Sequence, residues 1–302
     1  MEPSAINGAS RQGGAFSAKQ ARTSVRWERL RQWEQDELIV RESPRFYRLA
    51  EAGDDVRSRM LRAQARIGQP LIACHSTAAE LHGFNVLEDD RLHVTTARSR
   101  SIRSGRGVIV HQLVPRSSPT TVDGVIAIDA ADTAVDLAAA AQRIDVLAIL
   151  DAALRNGLTV EQVDQALGRS AGRRGVVQVR SLLAAASPAA QSPMESRTRY
   201  RLLEAGLPRP ELQVKVSTPS GVRYLDHGWR RARVGLEFDG QDFHSGDGSL
   251  DKDRRRHGDL LAAGWTIMYV TASDVYRTPA RFTEPLRTLL HERGVLDGPT
   301  QS

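Results

Sequence analysis

The feature that most constrains this 302-residue chain is a set of acid-bearing strands in its last third. Over residues 234–239, hydrophobic and other residues alternate, so Glu237 and Asp239 share one face of a predicted strand. A preceding apolar strand pattern ends at Asp226. Because a buried carboxylate is costly without a partner, several of them near strand ends predict a shared cation.

A helix is predicted just before these strands. Ser192 is the expected N-cap, Pro193 takes the first helical position and Glu195 the third, while Gly206 ends the helix. Two roles are open for Glu195: it can complete a capping box, or it can face the acidic strands.

The distance between Asp226 and Glu237 is also open. A strand over residues 222–226 and a turn near 228–232 place Asp226 beside the loop and Glu237 towards the far end of the next strand. A simple hairpin then separates the two acids by the length of a few strand residues, whereas a bulge or a crossing strand brings them together.

Several motifs follow one another in this region. They are YLDHGW at 224–229, VGLEFDG at 234–240, His244, DRRR at 253–256 and GW at 264–265. In order and spacing they resemble the very-short-patch-repair-like endonuclease domain of the PD-(D/E)xK superfamily. The resemblance implies a restriction-endonuclease-like α/β sandwich and a Mg²⁺- or Mn²⁺-dependent site that hydrolyses DNA phosphodiester bonds.

The resemblance also implies roles for individual residues. Its catalytic set is Glu195, Asp226, Glu237, Asp239 and His244, with Asp226 and Glu237 as metal ligands. The position two residues after the second acid, a lysine in the superfamily, is Asp239 here, and an aspartate cannot stabilise developing negative charge. A purely structural role is the alternative for Asp226, which can form an ion pair with Arg223 or Arg230.

Charge and cysteine content narrow the classes of function. Lys and Arg number 42 against 36 Asp and Glu, giving a net charge of +6, which permits nucleic-acid binding without establishing it. Cys74 is the only cysteine, so an internal disulfide and a cysteine-based zinc site are both excluded, and a small buried residue is the expected role. No apolar run approaches a membrane span, and a cytoplasmic location is expected.

The N-terminal region predicts a DNA-binding unit. Residues 1–16 are polar and Gly-rich and are predicted to form a disordered tail. Helical patterns followed by a basic hairpin near residues 38–49 predict a winged-helix-like unit over 17–68. Four arginines are expected either to contact DNA or to form an ordinary solvated face: Arg22, Arg26, Arg29 and Arg31.

Other arginines are candidates for contacts with phosphates. The set is Arg98, Arg100, Arg103 and Arg106, in a predicted loop without acids, together with Arg254 and Arg256 near the acidic strands. The alternative is a set of solvated side chains. His75, His82, His93 and His111 raise the question of a metal, but His75 and His82 lack the i, i+4 spacing of a helical zinc pair, so polar edge residues are expected.

The middle of the chain carries a second resemblance. HSTAAELHGF at 75–84, the strand pair that follows, and DTAVDL at 132–137 resemble abortive-infection, type IV toxin–antitoxin antitoxin regulators. This resemblance implies an N-terminal winged helix that binds DNA. The expected division is therefore a winged-helix-like unit, a mixed α/β region over 69–186 and an endonuclease-like domain over 187–302, an α/β (α+β) fold as a whole.

Two classes of function follow. The first is a metal-dependent DNA endonuclease with an N-terminal DNA-binding module, for which a nuclease acting on RNA is a variant. The second is a non-catalytic DNA-binding regulator whose nuclease fold is inactive. DNA is the expected partner in both, and magnesium-dependent cleavage separates them.

Overall fold

A computed structural model describes residues 9–96, 104–105, 107–240 and 249–296, with the backbone alone at residue 10 and at 249–254. The fold is mixed α/β, with helices set against sheets of both parallel and antiparallel strands. The chain forms two compact units, one of Met1–Leu137 and Glu161–Gly172, the other of Ala138–Val160 and Arg173–Ser302. Within the described ranges, no helix is both long and apolar enough to cross a membrane.

The first unit begins with a small sheet and two helices. Their order is β1 (Ala15–Ser17), α1 (Ala18–Ser24), α2 (Trp27–Gln35), β2 (Ile39–Ser43) and β3 (Phe46–Leu49). The three strands are antiparallel, in the order β1-β3-β2, which confirms the predicted hairpin. Ser17 caps α1 through a capping box with Gln20.

The prediction of a disordered tail over residues 1–16 is wrong for residues 9–16; residues 1–8 lie outside the described part. A 3₁₀ turn covers Ser10–Gln12, and β1 pairs with β3. Phe16 is fully buried and its ring lies 5.8 Å from that of Tyr47. One buried aromatic side chain therefore anchors a segment whose composition is otherwise typical of a flexible end.

The rest of the first unit is built on a second sheet. Its elements are α3 (Val56–Ile67), β4 (Ile72–Ala73), α4 (His75–Leu81), β5 (Leu92–Thr95), β6 (Val108–Val110), β7 (Thr120–Val122) and β8 (Val125–Ala127). The strand order is β6-β5-β4-β8-β7, with β5 parallel to β6 and β4 parallel to β8. Met60 and Ala63 of α3 pack with Leu71, Val94 and other buried residues of this sheet.

Four helices follow this sheet in the sequence. They are α5 (Ala130–Ala140), α6 (Arg143–Arg155), α7 (Val160–Arg169) and α8 (Val176–Leu183). In α6 every residue from Ile144 to Leu154 is buried except Asp145. This helix is therefore a core element of the second unit.

The second unit continues with a helix, three antiparallel strands, a helix and a parallel strand. The elements are α9 (Pro193–Glu204), β9 (Glu211–Thr218), β10 (Gly221–Trp229), β11 (Val234–Phe238), α10 (Ser249–Ala262), β12 (Thr266–Val270), α11 (Ala272–Tyr276) and α12 (Ala280–Glu292). The sheet order is β12-β11-β10-β9, and β12 runs parallel to β11. Its core includes Val214, Leu225, Leu260, Trp265 and Ile267.

The strand β10 is longer than predicted. The sequence predicted that the strand ends at Asp226, but it runs to Trp229. Trp229 is buried and its indole N–H donates to the Pro208 carbonyl at 3.1 Å. Gly228 lies against Val214 and Trp265. Burial of these residues outweighs the local tendency of His-Gly-Trp-Arg-Arg to turn.

Candidate functional site

The longer β10 changes the relation between the two principal acids. The antiparallel register pairs Trp229 with Val234 and His227 with Leu236. Continuing that register by one residue places Asp226 across from Glu237, at the point where the regular pairing of the two strands stops. Of the two arrangements that the sequence left open, the structure therefore has the acids opposite one another, in a hairpin whose first strand runs three residues further than predicted.

Asp226 is half-buried at this strand end. Its carboxylate accepts a hydrogen bond from the Phe238 N–H at 3.0 Å. Burial raises the pKa of the Asp226 carboxyl above its ordinary value, the Phe238 N–H opposes that shift, and the nearby Glu195 carboxylate adds to it. Ionisation of the Asp226 carboxyl is therefore disfavoured until a cation or a further hydrogen-bond donor stabilises its negative charge.

Glu237 is 5% exposed and already has a cationic partner. The Arg256 guanidinium donates to its Oε1 at 2.6 Å, and also to the Tyr224 carbonyl at 2.9 Å. Arg256 was predicted to contact phosphate, but here it neutralises Glu237. A divalent ion bound by Glu237 would therefore compete with this guanidinium.

Of the two roles that the sequence left open for Glu195, the structure favours the second: its carboxylate contacts Gln213 of β9 and accepts from the Gln191 N–H, not from the Ser192 N–H that a capping box requires. It is the third residue of α9, and Ser192 Oγ accepts from its N–H at 3.1 Å. Its carboxylate accepts from the Gln191 N–H at 2.9 Å and from the Gln213 side-chain amide at 3.0 Å. The Gln213 side chain also lowers the pKa of Asp226. Glu195 is thus bound to a side chain that acts on both acids.

Gln213 is a part of this cluster that the sequence analysis missed. It lies in β9 with a φ of 49°, an unusual left-handed conformation for a residue other than glycine. Strand alternation contains no signal for such a residue. The polar Gln213 between two apolar positions of β9, opposite the acid-bearing strand, is the one hint that the sequence offers.

The two remaining residues of the predicted catalytic set are Asp239 and His244. Asp239 follows β11 directly, and its N–H donates to the Val270 carbonyl at 2.8 Å. His244 lies outside the described residues. Arg254 belongs to α10, where its backbone alone is described.

Side chains with metal-binding geometry lie at a different place in the described part of the molecule. Among the described residues, one group of three His, Cys, Asp or Glu side chains has ligand atoms that all lie within 4.8 Å of one another. It consists of Cys74, His75 and His111, in the first unit. The sequence analysis missed this group because it tested spacing within one helix, whereas the residues come from separate strand ends.

Four arginines of α1, of α2 and of the N-cap of α2 are exposed in the first unit. The side chains of Arg22, Arg26, Arg29 and Arg31 are exposed. The guanidinium carbons (Cζ) of Arg22 and Arg31 both lie 5.6 Å from the centroid of the Trp27 ring. The Cζ of Arg29 lies 6.0 Å from the centroid of the Trp33 ring. In the described part of the chain, none of the four forms an ion pair with a carboxylate. We call these four residues the arginine face.

The second set of predicted phosphate contacts cannot be placed. Arg98, Arg100, Arg103 and Arg106 all lie outside the described residues. The strands β5 and β6 flank this segment as predicted. The role of the four arginines therefore stays a prediction.

The DTAVDL motif forms a buried polar network in the first unit. Asp132 is fully buried and accepts from Arg169 at 2.8 Å and from the Ser117 hydroxyl at 2.6 Å. Arg116 pairs with Asp136 at 2.9 Å. The motif thus fixes the start of α5 and does not form an exposed binding surface.

Comparison with known proteins gives two findings. Residues 71–185 match the AbiEi antitoxin C-terminal domain family. Over 229 residues, the chain is 34% identical to Rv2248 of Mycobacterium tuberculosis strain ATCC 25618 / H37Rv, a protein described as uncharacterized, covering 75% of this chain and 84% of the relative. The same values hold for MT2308 of strain CDC 1551 / Oshkosh.

Proposed function

The chain belongs to the family that includes Rv2248 of Mycobacterium tuberculosis, and we propose that it is a DNA-binding regulator of the antitoxin type. The observation that carries the proposal is the arginine face on α1 and α2. It lies in the same unit as the first part of the segment that matches the antitoxin domain.

Two helices followed by a β-hairpin form the framework of winged-helix DNA-binding domains. In this framework the second helix enters the major groove and the hairpin contacts the backbone. Here α2 would be the recognition helix, with Arg29, Arg31 and Gln32 exposed on it. Arginine and glutamine are residue types that read base edges in the major groove. Arg41 and Arg45, both exposed near the tip of the β2–β3 hairpin, would contact phosphates.

Stacking on tryptophan supports this role. The guanidinium groups of Arg22 and Arg31 lie against the Trp27 ring and not against acids, so their charge is not neutralised by a described carboxylate. A guanidinium held over an aromatic ring has fewer conformations to lose on binding. The arginine face is therefore preorganised for an anionic ligand such as a DNA backbone.

The test uses DNA duplexes selected from a random pool by the purified full-length protein. We expect Arg29→Ala and Arg31→Ala each to weaken binding by about 5- to 150-fold, since one good base contact contributes about 1–3 kcal/mol. A lost phosphate contact would lower the slope of log K against log salt by about 0.9. Arg180→Ala is the matched control, because Arg180 is an exposed helical arginine of the second unit. Equal binding by all variants would exclude α2 as the DNA-reading helix.

A second candidate function is hydrolysis of DNA by the acidic cluster in the second unit. The observation that favours it is the register of β10 and β11, which puts Asp226 across from Glu237, together with Glu195 near Asp226. The helix α9, the mixed four-stranded sheet and the helix α10 fit the α/β core that the endonuclease resemblance implies. We propose this activity as an addition to DNA binding.

The donor set suits a hard divalent cation such as Mg²⁺ or Mn²⁺, because it consists of carboxylate oxygens. Asp226 and Glu237 would hold the ion, and Asp226, with its raised pKa and an acidic neighbour, would gain most from it. When bound, such an ion polarises the scissile phosphate and lowers the pKa of water. Arg256 would have to release Glu237, and it would then be placed to contact the phosphate.

Plasmid cleavage with and without Mg²⁺ or Mn²⁺ tests this second function. We expect cleavage by the wild-type protein and its loss in Asp226→Asn and Glu237→Gln. Asp259→Asn serves as control, since Asp259 is an acid of the same unit that pairs with Arg223 at 2.8 Å. Absence of cleavage in all proteins, with DNA binding intact, would leave the regulator function standing alone.

A further inference from the structure

The first unit brings four chemically reactive side chains to one edge of its five-stranded sheet. Cys74 directly follows β4, His75 begins α4, His93 lies in β5 and His111 directly follows β6. Since β5 pairs with both β4 and β6, these strand ends are neighbours. The Cys74 N–H donates to the His93 carbonyl at 3.0 Å, and the His111 N–H to the Val94 carbonyl at 2.8 Å.

We propose that Cys74, His75 and His111 form a binding site for a divalent transition metal ion of the Zn²⁺ class. Their ligand atoms lie within 4.8 Å of one another. The rings of His75 and His111 have centroids 4.2 Å apart. Ligand atoms around a tetrahedral Zn²⁺ at about 2.0–2.3 Å lie about 3.3–3.8 Å apart, so binding would draw these side chains together by up to about 1.5 Å.

A chain of hydrogen bonds behind the site orients His111. Asp89 Oδ2 lies 2.9 Å from His93 Nε2, and His93 Nδ1 lies 2.9 Å from His111 Nε2. An ionised Asp89 accepts from His93 Nε2–H, so His93 Nδ1 accepts in turn from His111 Nε2–H. The lone pair of His111 is then on Nδ1. A carboxylate that fixes the tautomer of a histidine ligand in this way is typical of metal sites.

The charges in the cluster agree with this arrangement. Burial and the neighbouring His111 and His93 lower the pKa of His75 to about 4, and burial lowers the pKa of His111. Both imidazoles are therefore neutral at pH 7, the form that binds a metal. Hydrogen bonds from Arg91 and His93 hold the pKa of Asp89 below its ordinary value, so this carboxylate is ionised.

Backbone geometry gives an independent indication. His75 has a φ of 48°, in the left-handed region that residues other than glycine rarely adopt, at a cost of about 1–3 kcal/mol. The strain persists where surrounding contacts or a function require it. Next to it, the buried Ser76 hydroxyl has no hydrogen-bond partner among the described residues. Both features lie in the first turn of the helix that bears His75.

The donor atoms indicate the class of metal. One sulfur and two imidazole nitrogens suit Zn²⁺, and they disfavour Mg²⁺ or Ca²⁺, which prefer oxygen. Burial raises the pKa of the Cys74 thiol, so the free side chain stays protonated, and binding of a metal would release that proton. Three protein ligands leave a fourth position for water or another small ligand.

The test is titration of the full-length, metal-free protein with Co²⁺, followed by displacement with Zn²⁺. We expect one equivalent of Co²⁺ to give a thiolate charge-transfer band and the intense visible bands of four-coordinate cobalt. Zn²⁺ should abolish both. Cys74→Ser should remove the charge-transfer band, and His111→Gln should weaken binding by at least about tenfold.

Two further variants guard against a merely structural effect. His93→Gln keeps all three ligands and disturbs only the orientation of His111, so we expect about 10- to 100-fold weaker binding with an unchanged spectrum. His291→Gln, in an exposed histidine of α12, should bind as the wild type does. Circular dichroism checks that each variant is folded. Failure of the wild-type protein to bind one equivalent, or identical spectra for wild type and Cys74→Ser, would overturn the site.

Discussion

At the scale of single residues, the buried carboxylate of Asp151 has specific hydrogen-bonding partners. Asp151 is fully buried in α6, where Arg199 donates to Oδ2 at 2.5 Å and the Ser187 N–H donates to Oδ1 at 2.7 Å. Burial raises the pKa of Asp151, and the Arg199 guanidinium opposes that shift. Such a pair is costly to break because the remaining charge stays buried.

We therefore expect Asp151→Ala to lower the free energy of unfolding by about 3–5 kcal/mol. Glu211→Ala is the control, because Glu211 pairs with Arg230 at 2.7 Å on the surface, where loss of an ion pair costs at most about 1 kcal/mol. Urea denaturation of both variants measures the difference. Similar small losses in the two variants would show that Arg199 finds another partner or reaches water.

A helix cap gives a prediction about pH. The Asp55 carboxylate accepts from the N–H of Ser58 at 2.9 Å and from its hydroxyl at 2.8 Å, and these bonds hold the pKa of Asp55 below its ordinary value. Its stabilisation is complete above the unfolded pKa of about 3.9, and it is lost as the pH falls through the lower folded value.

At pH 7 we expect Asp55→Ala to cost about 1 kcal/mol of unfolding free energy. This difference from wild type should shrink as the pH is lowered towards and below 4. Asp55→Asn, which carries a neutral capping side chain, should have a higher free energy of unfolding than Asp55→Ala at every pH. Denaturation curves across this range measure both differences, and a pH-independent cost of Asp55→Ala would argue against the charged cap.

At the scale of elements, close packing around β10 and β11 decides the geometry of the acidic cluster. A Cβ on Gly235 would lie 2.8 Å from Ile267 Cδ1 and 2.9 Å from Leu225 Cδ1. A Cβ on Gly228 would lie 2.9 Å from Val214 Cγ2. Both glycines therefore permit the close contact between strands and side chains that brings Asp226 opposite Glu237.

We expect Gly228→Ala and Gly235→Ala each to destabilise the protein by about 1–3 kcal/mol through overpacking. Gly258→Ala should act in the opposite direction, since its Cβ would meet no atom within 4 Å in α10 and alanine favours a helix by up to about 1 kcal/mol. Thermal or urea denaturation compares the three. A neutral Gly235→Ala variant would mean that the side chains around it adjust without cost.

At the scale of the whole molecule, the excess of arginine sets the electrostatic response. The net charge is +6, and Arg98, Arg100, Arg103 and Arg106 supply positive charge without an acid between them. If these side chains contact DNA, their replacement should weaken DNA binding more than removal of the same positive charge elsewhere in the protein. Release of counterions makes the number of phosphate contacts measurable.

Replacing all four with alanine should lower the slope of log K against log salt by up to about 3–4. A control with the same net charge replaces four exposed arginines of the second unit: Arg174, Arg180, Arg277 and Arg293. Its binding should change much less. Equal losses in the two proteins would indicate that overall charge, and not this segment, attracts DNA.

The amino-acid sequence by itself determined those features that depend on local chemistry. The Ser192–Pro193 helix start, the hairpin at residues 39–49 and the strand over residues 234–238 were all predicted, because caps, turns and strand patterns are encoded in neighbouring residues. The resemblance to the antitoxin regulators was confirmed by the family match over residues 71–185. The catalytic assignments and their metal stay a prediction.

Only the tertiary structure decided which side chains meet. Burial of Trp229 extended β10 and set the acids opposite one another, and Arg256 reached Glu237 from α10. Cys74 and His111 are 37 residues apart in the sequence, yet they meet because β5 pairs with the strands on both sides. Contacts of this kind depend on strand pairing and side-chain packing between distant segments. The spacing of residues along the chain does not specify them.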